Sequence, residues 1–280
     1  MTYELVSVKH GDGLLHGLLA RNKRKRLCVV LIHGTAGNFY ANPFIEPTMR
    51  LYAESGANVL SVNFPGHDET AATERFEDFT PALDGWLDGL GLTGPLLLQG
   101  HSLGALKVLA YLQDARARYR KDIQAAALLS PFDIVAFYAG KTDEEVNQKR
   151  SRVQSLIRVE GQGAMVPKEI FGLWPLSLGT FERLTAPGGQ ADQFPTRNGL
   201  VNWRVPVPGL PTLVAIGGSD FAAFPSPEAV VEACGKRARL DLANEKLVVE
   251  FVAGAPHNFE GKTDALREIV GRWLSRISPQ

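Results

Sequence analysis

Short apolar runs alternate along the chain with longer stretches in which apolar residues recur every three or four positions. Some runs, such as 26–34 (RLCVVLIHG), are apolar almost throughout, which is typical of a strand covered on both faces. The turn at 10–13 contains Asp12-Gly13, a pair that favours a hairpin between the first two runs. The predicted strands are 3–9, 14–20, 26–34, 58–64, 95–99, 124–132, 211–220 and 246–254.

The periodic stretches predict helices between these strands. At Thr80-Pro81 and Ser226-Pro227 a cap residue precedes a proline suited to the first helical position. Residues 142–145 (TDEE) have the spacing of a capping box. The predicted helices are 44–55, 80–90, 102–118, 227–238 and 263–276. Strands separated by helices imply an α/β fold: a mostly parallel sheet with helices on both faces, after an antiparallel start.

The alternation stops between residues 134 and 208, where no apolar strand is evident and Gly, Pro and aromatic residues crowd together. The composition is not that of a linker. We therefore interpret 134–208 as a helical insert that lies over the sheet as a lid, while 1–133 and 209–280 form one core domain. A surface for a partner protein is the alternative interpretation of the insert.

Composition narrows the function by exclusion. Lys+Arg and Asp+Glu each number 30, so the net charge of zero does not favour nucleic acid or an anionic membrane. We interpret the basic run 21–26 as a solvated turn.

The two cysteines provide no disulfide framework, and we expect Cys28 to be buried in a strand. With no signal-peptide pattern and no apolar run of about 20 residues, we expect a cytoplasmic protein. No metal or nucleotide motif occurs, so no cofactor is expected.

Ser102 is the candidate nucleophile. It is the centre of the Gly-x-Ser-x-Gly pentapeptide at 100–104, of which chance gives roughly 0.2 per chain of this length. Context makes the motif specific, because Ser102 lies between a buried strand and a helix, where active residues of parallel sheets are found. His257 and Asp220 each follow a later strand, so they belong to the same sheet edge. Ser102 as nucleophile, His257 as base and Asp220 as orienting acid have the chemistry of a catalytic triad.

The oxyanion of such a reaction needs hydrogen-bond donors. His33-Gly34-Thr35 follows the third strand, so the backbone N–H groups of Thr35 and Leu103 are the candidates. With this turn, the pentapeptide and the later Asp and His, the chain resembles the α/β-hydrolase superfamily over essentially its whole length. The resemblance implies an eight-stranded sheet of the α/β-hydrolase fold, a cap after the sixth strand, and the same roles for the residues just named.

Several candidate residues have more than one possible role. Asp133 is an alternative acid, because some relatives take the acid from the loop after the sixth strand, although capping the insert is its expected role. His33 and His101 are expected to make orienting hydrogen bonds rather than to act directly. His67 is a candidate for the pocket or for closing a turn. Phe39 and Trp174 are the other candidate pocket residues. The aromatic residues of the insert form either an acyl or aromatic pocket or the lid's own small core; they are Phe171, Trp174, Phe181, Phe194 and Trp203.

These residues predict a cofactor-independent serine hydrolase that cleaves a small-molecule carboxylic ester. The same triad would also serve an amidase, a thioesterase, or an acyltransferase or cyclase of a biosynthetic pathway. A ligand-binding protein on the hydrolase scaffold is the non-enzymatic alternative. The natural substrate and the oligomeric state do not follow from the sequence.

Overall fold

The computed structural model describes residues 2–22, 27–197, 209–240 and 246–277. Its eight strands form one sheet in the order β1-β2-β4-β3-β5-β6-β7-β8. The β1–β2 and β2–β4 pairs are antiparallel and the remaining pairs are parallel. The strands are β1 (Tyr3–His10), β2 (Gly13–Ala20), β3 (Cys28–Ile32), β4 (Asn58–Val62), β5 (Leu96–His101), β6 (Ile123–Leu129), β7 (Thr212–Gly217) and β8 (Leu247–Val252). The predicted hairpin and the mostly parallel sheet with its antiparallel start are confirmed.

Helices cover both faces of the sheet, because its central strands are apolar on both sides. In β3, Val30 and Ile32 belong to one core layer, whereas Val29 and Leu31 belong to the other. Helices α2, α3 and α7 supply the first layer, and α1 and α8 supply the second. The helices are α1 (Ile45–Glu54), α2 (Phe79–Gly89), α3 (Leu103–Gln113), α4 (Ile134–Tyr138), α5 (Asp143–Glu160), α6 (Leu178–Leu184), α7 (Pro227–Leu240) and α8 (Thr263–Ile277).

Two helix ends differ from the sequence prediction. Helix α2 begins at Phe79, so Pro81 is its third residue, which the first turn tolerates because N–H groups there have no helical acceptor. The Thr80 hydroxyl donates to Asp114, 3.1 Å away, rather than capping the helix. Helix α3 ends at Gln113 instead of continuing to 118. By contrast, the capping box of α5 and the cap of α7 by Ser226 are present as predicted.

The insert between β6 and β7 consists, in its described part (134–197), of α4, α5 and α6 with connecting loops, and no strand is found there. The insert is hydrogen-bonded to backbone carbonyls of the segment after β4. The N–H of Ser177 donates to the carbonyl of Ala72, and the Thr180 hydroxyl donates to the carbonyl of Glu74. Residues 198–208, including Trp203, and most of the basic run (23–26) lie outside the described residues.

A buried ion pair joins this segment to α3. Lys107 Nζ lies 2.5 Å from Glu74 Oε1, and both side chains are almost fully buried. Burial raises the pKa of Glu74, and the charge of Lys107 opposes that rise.

Replacing Lys107 by methionine is expected to lower the free energy of unfolding by about 3 kcal/mol or more, because the Glu74 carboxyl would be left buried without its partner. Urea unfolding at pH 7 measures this. The double variant Lys107→Met/Glu74→Gln should recover part of the loss, while exposed Lys121→Met should change stability little. Equal stabilities of Lys107→Met and Lys121→Met would contradict the prediction.

Candidate active site

Ser102 lies on a sharp turn between the end of β5 and the start of α3. Its backbone has φ 56° and ψ −123°, a strained conformation for a residue with a side chain. The start of α3 lies so close to the end of the neighbouring strand β3 that a Cβ on Gly104 would lie 2.3 Å from the carbonyl oxygen of Ile32. A Cβ on Gly100 would come equally near the carbonyl oxygen of Gly104. The two glycines of the pentapeptide are therefore required by close backbone packing.

His257 follows β8 and reaches both other members of the predicted triad. Its Nε2 lies 2.8 Å from Ser102 Oγ, and its Nδ1 lies 2.7 Å from Asp220 Oδ1. An ionised carboxylate only accepts hydrogen bonds, so Nδ1 carries the proton that binds Asp220. Nε2 is then free to accept the hydroxyl proton of Ser102. The structure thus brings the three residues together in the geometry that activates a serine.

Asp220 follows β7 and is buried. Burial would raise its pKa, but the hydrogen bond and charge of His257 and the backbone N–H of Ala222 outweigh it and hold the pKa below its ordinary value. The Ala222 nitrogen lies 2.9 Å from the same carboxylate oxygen that binds His257. Asp220 is therefore ionised at neutral pH and fixed in orientation, as an acid that holds the histidine must be.

The alternative acid, Asp133, has other partners. It caps α4 by accepting the N–H of Ala136, as expected, and it also accepts the backbone N–H groups of Thr196 and Arg197. The Arg197 guanidinium lies 2.8 Å from the same carboxylate. These bonds join the two ends of the described insert, and His257 pairs with Asp220 instead.

The predicted oxyanion turn lies beside Ser102. A Cβ on Gly34 would lie 2.8 Å from the Cβ of Ser102, so the chain at 33–35 packs directly against the serine. Thr35 lines the cavity at Ser102, and its hydroxyl lies 3.2 Å from that of the fully buried Tyr138. Leu103 is the first residue of α3, where a backbone N–H has no acceptor within the helix. Both predicted donors thus adjoin the serine.

His33 and His101 make structural hydrogen bonds. His33 Nε2 accepts the N–H of Phe64, and His101 Nε2 donates to the carbonyl of His257. Burial lowers the pKa of both to about 3, helped by the charges of Lys107 on His33 and of His257 on His101. Both rings are therefore neutral at pH 7.

These two neutral histidines make stability depend on pH. Between pH 6.5 and 3 these two imidazoles are protonated in the unfolded chain but stay neutral in the folded chain. The free energy of unfolding therefore falls as pH falls. Each histidine is expected to remove about 2 kcal/mol from the free energy of unfolding between pH 6.5 and 5. His101→Gln should show a smaller pH 7-to-5 loss than the parent by about that amount, measured by urea unfolding. Exposed His16→Gln is the control; if both variants keep the parental pH dependence, the assignment to His101 is wrong.

A cavity of about 280 Å³ opens at Ser102. Of the candidate pocket residues that the structure describes, only Trp174 lines it. His67 instead closes a turn, and its Nδ1 lies 3.0 Å from Asp68 Oδ2. Phe39 packs against Tyr40, outside the described lining. The described lining is Gly34, Thr35, Ala36, Gly37, Ala41, Asn42, His101, Ser102, Phe132, Phe137, Trp174, Phe221, Ala222, His257 and Asn258. Sequence reasoning missed Phe132, Phe137 and Phe221, although Phe132 directly precedes Asp133 and Phe221 directly follows Asp220.

Three other aromatic candidates of the insert, Phe171, Phe181 and Phe194, are buried core residues. They belong to the same core layer as α2 and α3, rather than to a separate small core of the insert as the alternative interpretation predicted. Among the residues that the structure describes, no group of three or more His, Cys, Asp or Glu side chains is placed to hold a metal ion. No described helix has the length and apolar character needed to cross a membrane.

The fold and this site define the chain as a member of the alpha/beta hydrolase family, whose sequence profile matches residues 29–269. The resemblance found in the sequence is thereby confirmed. A comparison with curated protein sequences gave no match.

Solved structures agree on the fold at low sequence identity. Siderophore hydrolase EstB from Aspergillus fumigatus is 15% identical, with 99% of each chain covered and a TM-score of 0.69. A soluble variant of monoglyceride lipase from Saccharomyces cerevisiae is 14% identical, covering 99% of this chain and 97% of that one, with a TM-score of 0.67. Est1E from Butyrivibrio proteoclasticus, with ferulic acid bound, is 16% identical, covering 97% and 98%, with a TM-score of 0.64.

Proposed function

We propose that the chain is a serine hydrolase that cleaves carboxylic esters through an acyl-enzyme on Ser102. The observation that carries this proposal is the unbroken line of hydrogen bonds from Asp220 through His257 to Ser102, which ends at the cavity. A serine alcohol is a poor nucleophile until a base takes its proton, and the 2.8 Å contact with His257 Nε2 supplies that base.

In the first half-reaction, Ser102 Oγ attacks the ester carbonyl carbon while its proton passes to His257 Nε2. The carbonyl oxygen becomes an oxyanion, which accepts hydrogen bonds from the backbone N–H groups of Thr35 and Leu103. The carbon–oxygen bond to the alcohol then breaks, and His257 gives its proton to the leaving alcohol. Asp220 stabilises the imidazolium that exists between these two proton transfers.

In the second half-reaction, a water molecule gives its proton to His257 and attacks the acyl carbon. The same backbone donors bind the new oxyanion. Its collapse breaks the bond to Ser102 Oγ, which recovers its proton from His257, and the carboxylic acid is released. No other group is needed for the atoms and charges to balance.

We also propose that 134–208 acts as the lid of this site. Two aromatic side chains of its described part, Phe137 and Trp174, form a wall of the cavity at Ser102. The hydroxyl of Tyr138 contacts that of Thr35, so the insert lies against the predicted oxyanion turn. A lid in this position shields the acyl-enzyme from bulk water.

An ester is favoured over other acyl substrates by the monoglyceride lipase among the structural neighbours. The test is a panel with one acyl group and three leaving groups: 4-nitrophenyl butyrate, a thiobutyrate ester and butyranilide. We expect the ester to have the highest kcat/KM, butyric acid to be the product, and a fluorophosphonate probe to label Ser102 with one equivalent.

The alternatives correspond to other outcomes of the same panel. Faster turnover of the thioester or of the anilide would identify the chain as a thioesterase or an amidase instead of an ester hydrolase. Preferential capture of the butyryl group by added alcohol or amine at low concentration would indicate an acyltransferase. Absence of both turnover and labelling of Ser102 would overturn the proposal and favour a ligand-binding protein.

A further inference from the structure

One wall of the cavity at Ser102 is aromatic. Four of its lining residues are Phe132 after β6, Phe137 in α4, Trp174 in the insert and Phe221 after β7. An apolar cavity of about 150 Å³ is enough to hold a benzene ring. The 280 Å³ available here therefore accommodates a ring together with a short linker to an ester.

Phe137 is the centre of this wall. Its ring stacks on Trp174 at a centroid distance of 5.9 Å and an angle of 22°, and Phe132 meets it edge-on at 5.4 Å. The ring centroid of Phe221 lies 5.9 Å from that of Phe137. Phe137 and Trp174 are only half-buried, and Phe221 is 67% exposed, in contrast to the buried core aromatics of the insert. Large apolar side chains that cluster and stay exposed mark a binding surface.

The wall adjoins the reacting groups. The ring centroids of Phe221 and Phe132 lie 5.2 Å and 6.1 Å from that of His257. On another side, the ring of Tyr138 packs beside Phe137, and its hydroxyl is hydrogen-bonded to Thr35 at the oxyanion turn. A group bound against this wall is thus only a few bonds from a carbonyl carbon held at Ser102.

The described lining contains no Lys, Arg, Asp or Glu. A carboxylate or ammonium group brought into the cavity would lose its hydration without gaining an opposite charge, which is strongly unfavourable. The polar side chains Asn42 and Asn258 offer neutral hydrogen bonds elsewhere in the lining. The site thus discriminates against charged substrate groups as well as favouring apolar ones.

From these contacts we propose that the cavity is an aryl-binding site, and that the preferred substrates are esters carrying an uncharged aromatic ring one to three bonds from the scissile ester group. The inference rests on the proposed ester hydrolysis at Ser102. Aromatic rings attract a further ring by edge-to-face and offset stacking beyond the effect of buried area. A saturated ring of similar size lacks that attraction, so it provides the matched comparison.

Two pairs of esters test the proposal and locate the ring. The acyl pair is methyl 3-phenylpropanoate and methyl 3-cyclohexylpropanoate; the alcohol pair is 2-phenylethyl acetate and 2-cyclohexylethyl acetate. We expect kcat/KM to favour the aromatic member about 3- to 10-fold in at least one pair. Methyl 3-(4-carboxyphenyl)propanoate should be cleaved at least about 100-fold more slowly than its uncharged parent.

Leucine variants assign the preference to the wall. In Phe137→Leu and Phe221→Leu the ratio of aromatic to cyclohexyl kcat/KM should fall towards one, because leucine keeps an apolar surface but removes the aromatic ring. Phe221 is exposed, so its variant remains informative if Phe137→Leu does not fold. Phe251→Leu, which changes an exposed aromatic residue of β8 outside the cavity lining, should keep the parental ratio.

Ester turnover with ratios near one in both pairs, or a preference unchanged in both Phe137→Leu and Phe221→Leu, would overturn the aryl site and leave the proposed hydrolysis standing. Equal cleavage of the charged and uncharged phenylpropanoates would also overturn it. Failure of every ester together with no covalent labelling of Ser102 would instead contradict the proposed function itself.

Discussion

Ser102→Ala is expected to lower kcat on the best ester of the panel by about 10⁴- to 10⁶-fold. Alanine removes Oγ, so no acyl-enzyme can form and His257 loses the hydroxyl that lies 2.8 Å from its Nε2. The remaining donors and the cavity still bind substrate, so KM should change far less than kcat. Steady-state kinetics and intact-protein mass measurement after fluorophosphonate treatment check both points.

Ser219→Ala is the matched control, because Ser219 is an exposed serine at the same edge of the sheet and outside the described cavity lining. It should keep the parental kcat and the probe label. Thermal unfolding establishes whether Ser102→Ala is folded. This check is needed because alanine at position 102 must adopt the same strained backbone conformation as the serine. If folded Ser102→Ala retains more than about 1% of the activity, the nucleophile lies elsewhere.

The sequence allowed the fold and the three central residues of the site to be predicted, because both follow from local patterns. Apolar runs identify strands, and in a parallel sheet their carboxyl ends meet at one edge. Ser102, Asp220 and His257 each follow such a run, so their proximity across 118 and 37 residues did not require any knowledge of side-chain packing. The structure places them within hydrogen-bond distance.

The features that were missed depend on packing between distant segments. Nothing local distinguishes Phe137, which faces the cavity, from Phe171, which is buried in the core, since both are aromatic residues of the insert. The start of α2 was misplaced because Thr80-Pro81 has the composition of a helix start, while a tertiary hydrogen bond to Asp114 uses the Thr80 hydroxyl. Likewise, the partners of Asp133 include residues 196–197, which lie more than 60 positions away and reach it only through the folding of the insert.

The second large effect is expected from Asp220→Asn, which should lower kcat at pH 7 by about 10⁴-fold while leaving the fold intact. The carboxylate accepts the Nδ1 proton of His257 over 2.7 Å and leaves Nε2 free to act as base. An asparagine can instead donate its amide N–H to Nδ1, which stabilises the tautomer with the proton on Nε2. That tautomer cannot accept the proton of Ser102, and the imidazolium also loses its stabilising charge.

Asp133→Asn discriminates between the two candidate acids. Because Asp133 is bonded to Ala136, Thr196 and Arg197, its variant should lose thermal stability but keep kcat within about tenfold below its unfolding temperature. The opposite pattern, with Asp220→Asn near the parental rate and Asp133→Asn slowed about 10⁴-fold, would assign the orienting role to Asp133. Since Asp220 binds both His257 and the Ala222 N–H through one oxygen, we expect the first pattern.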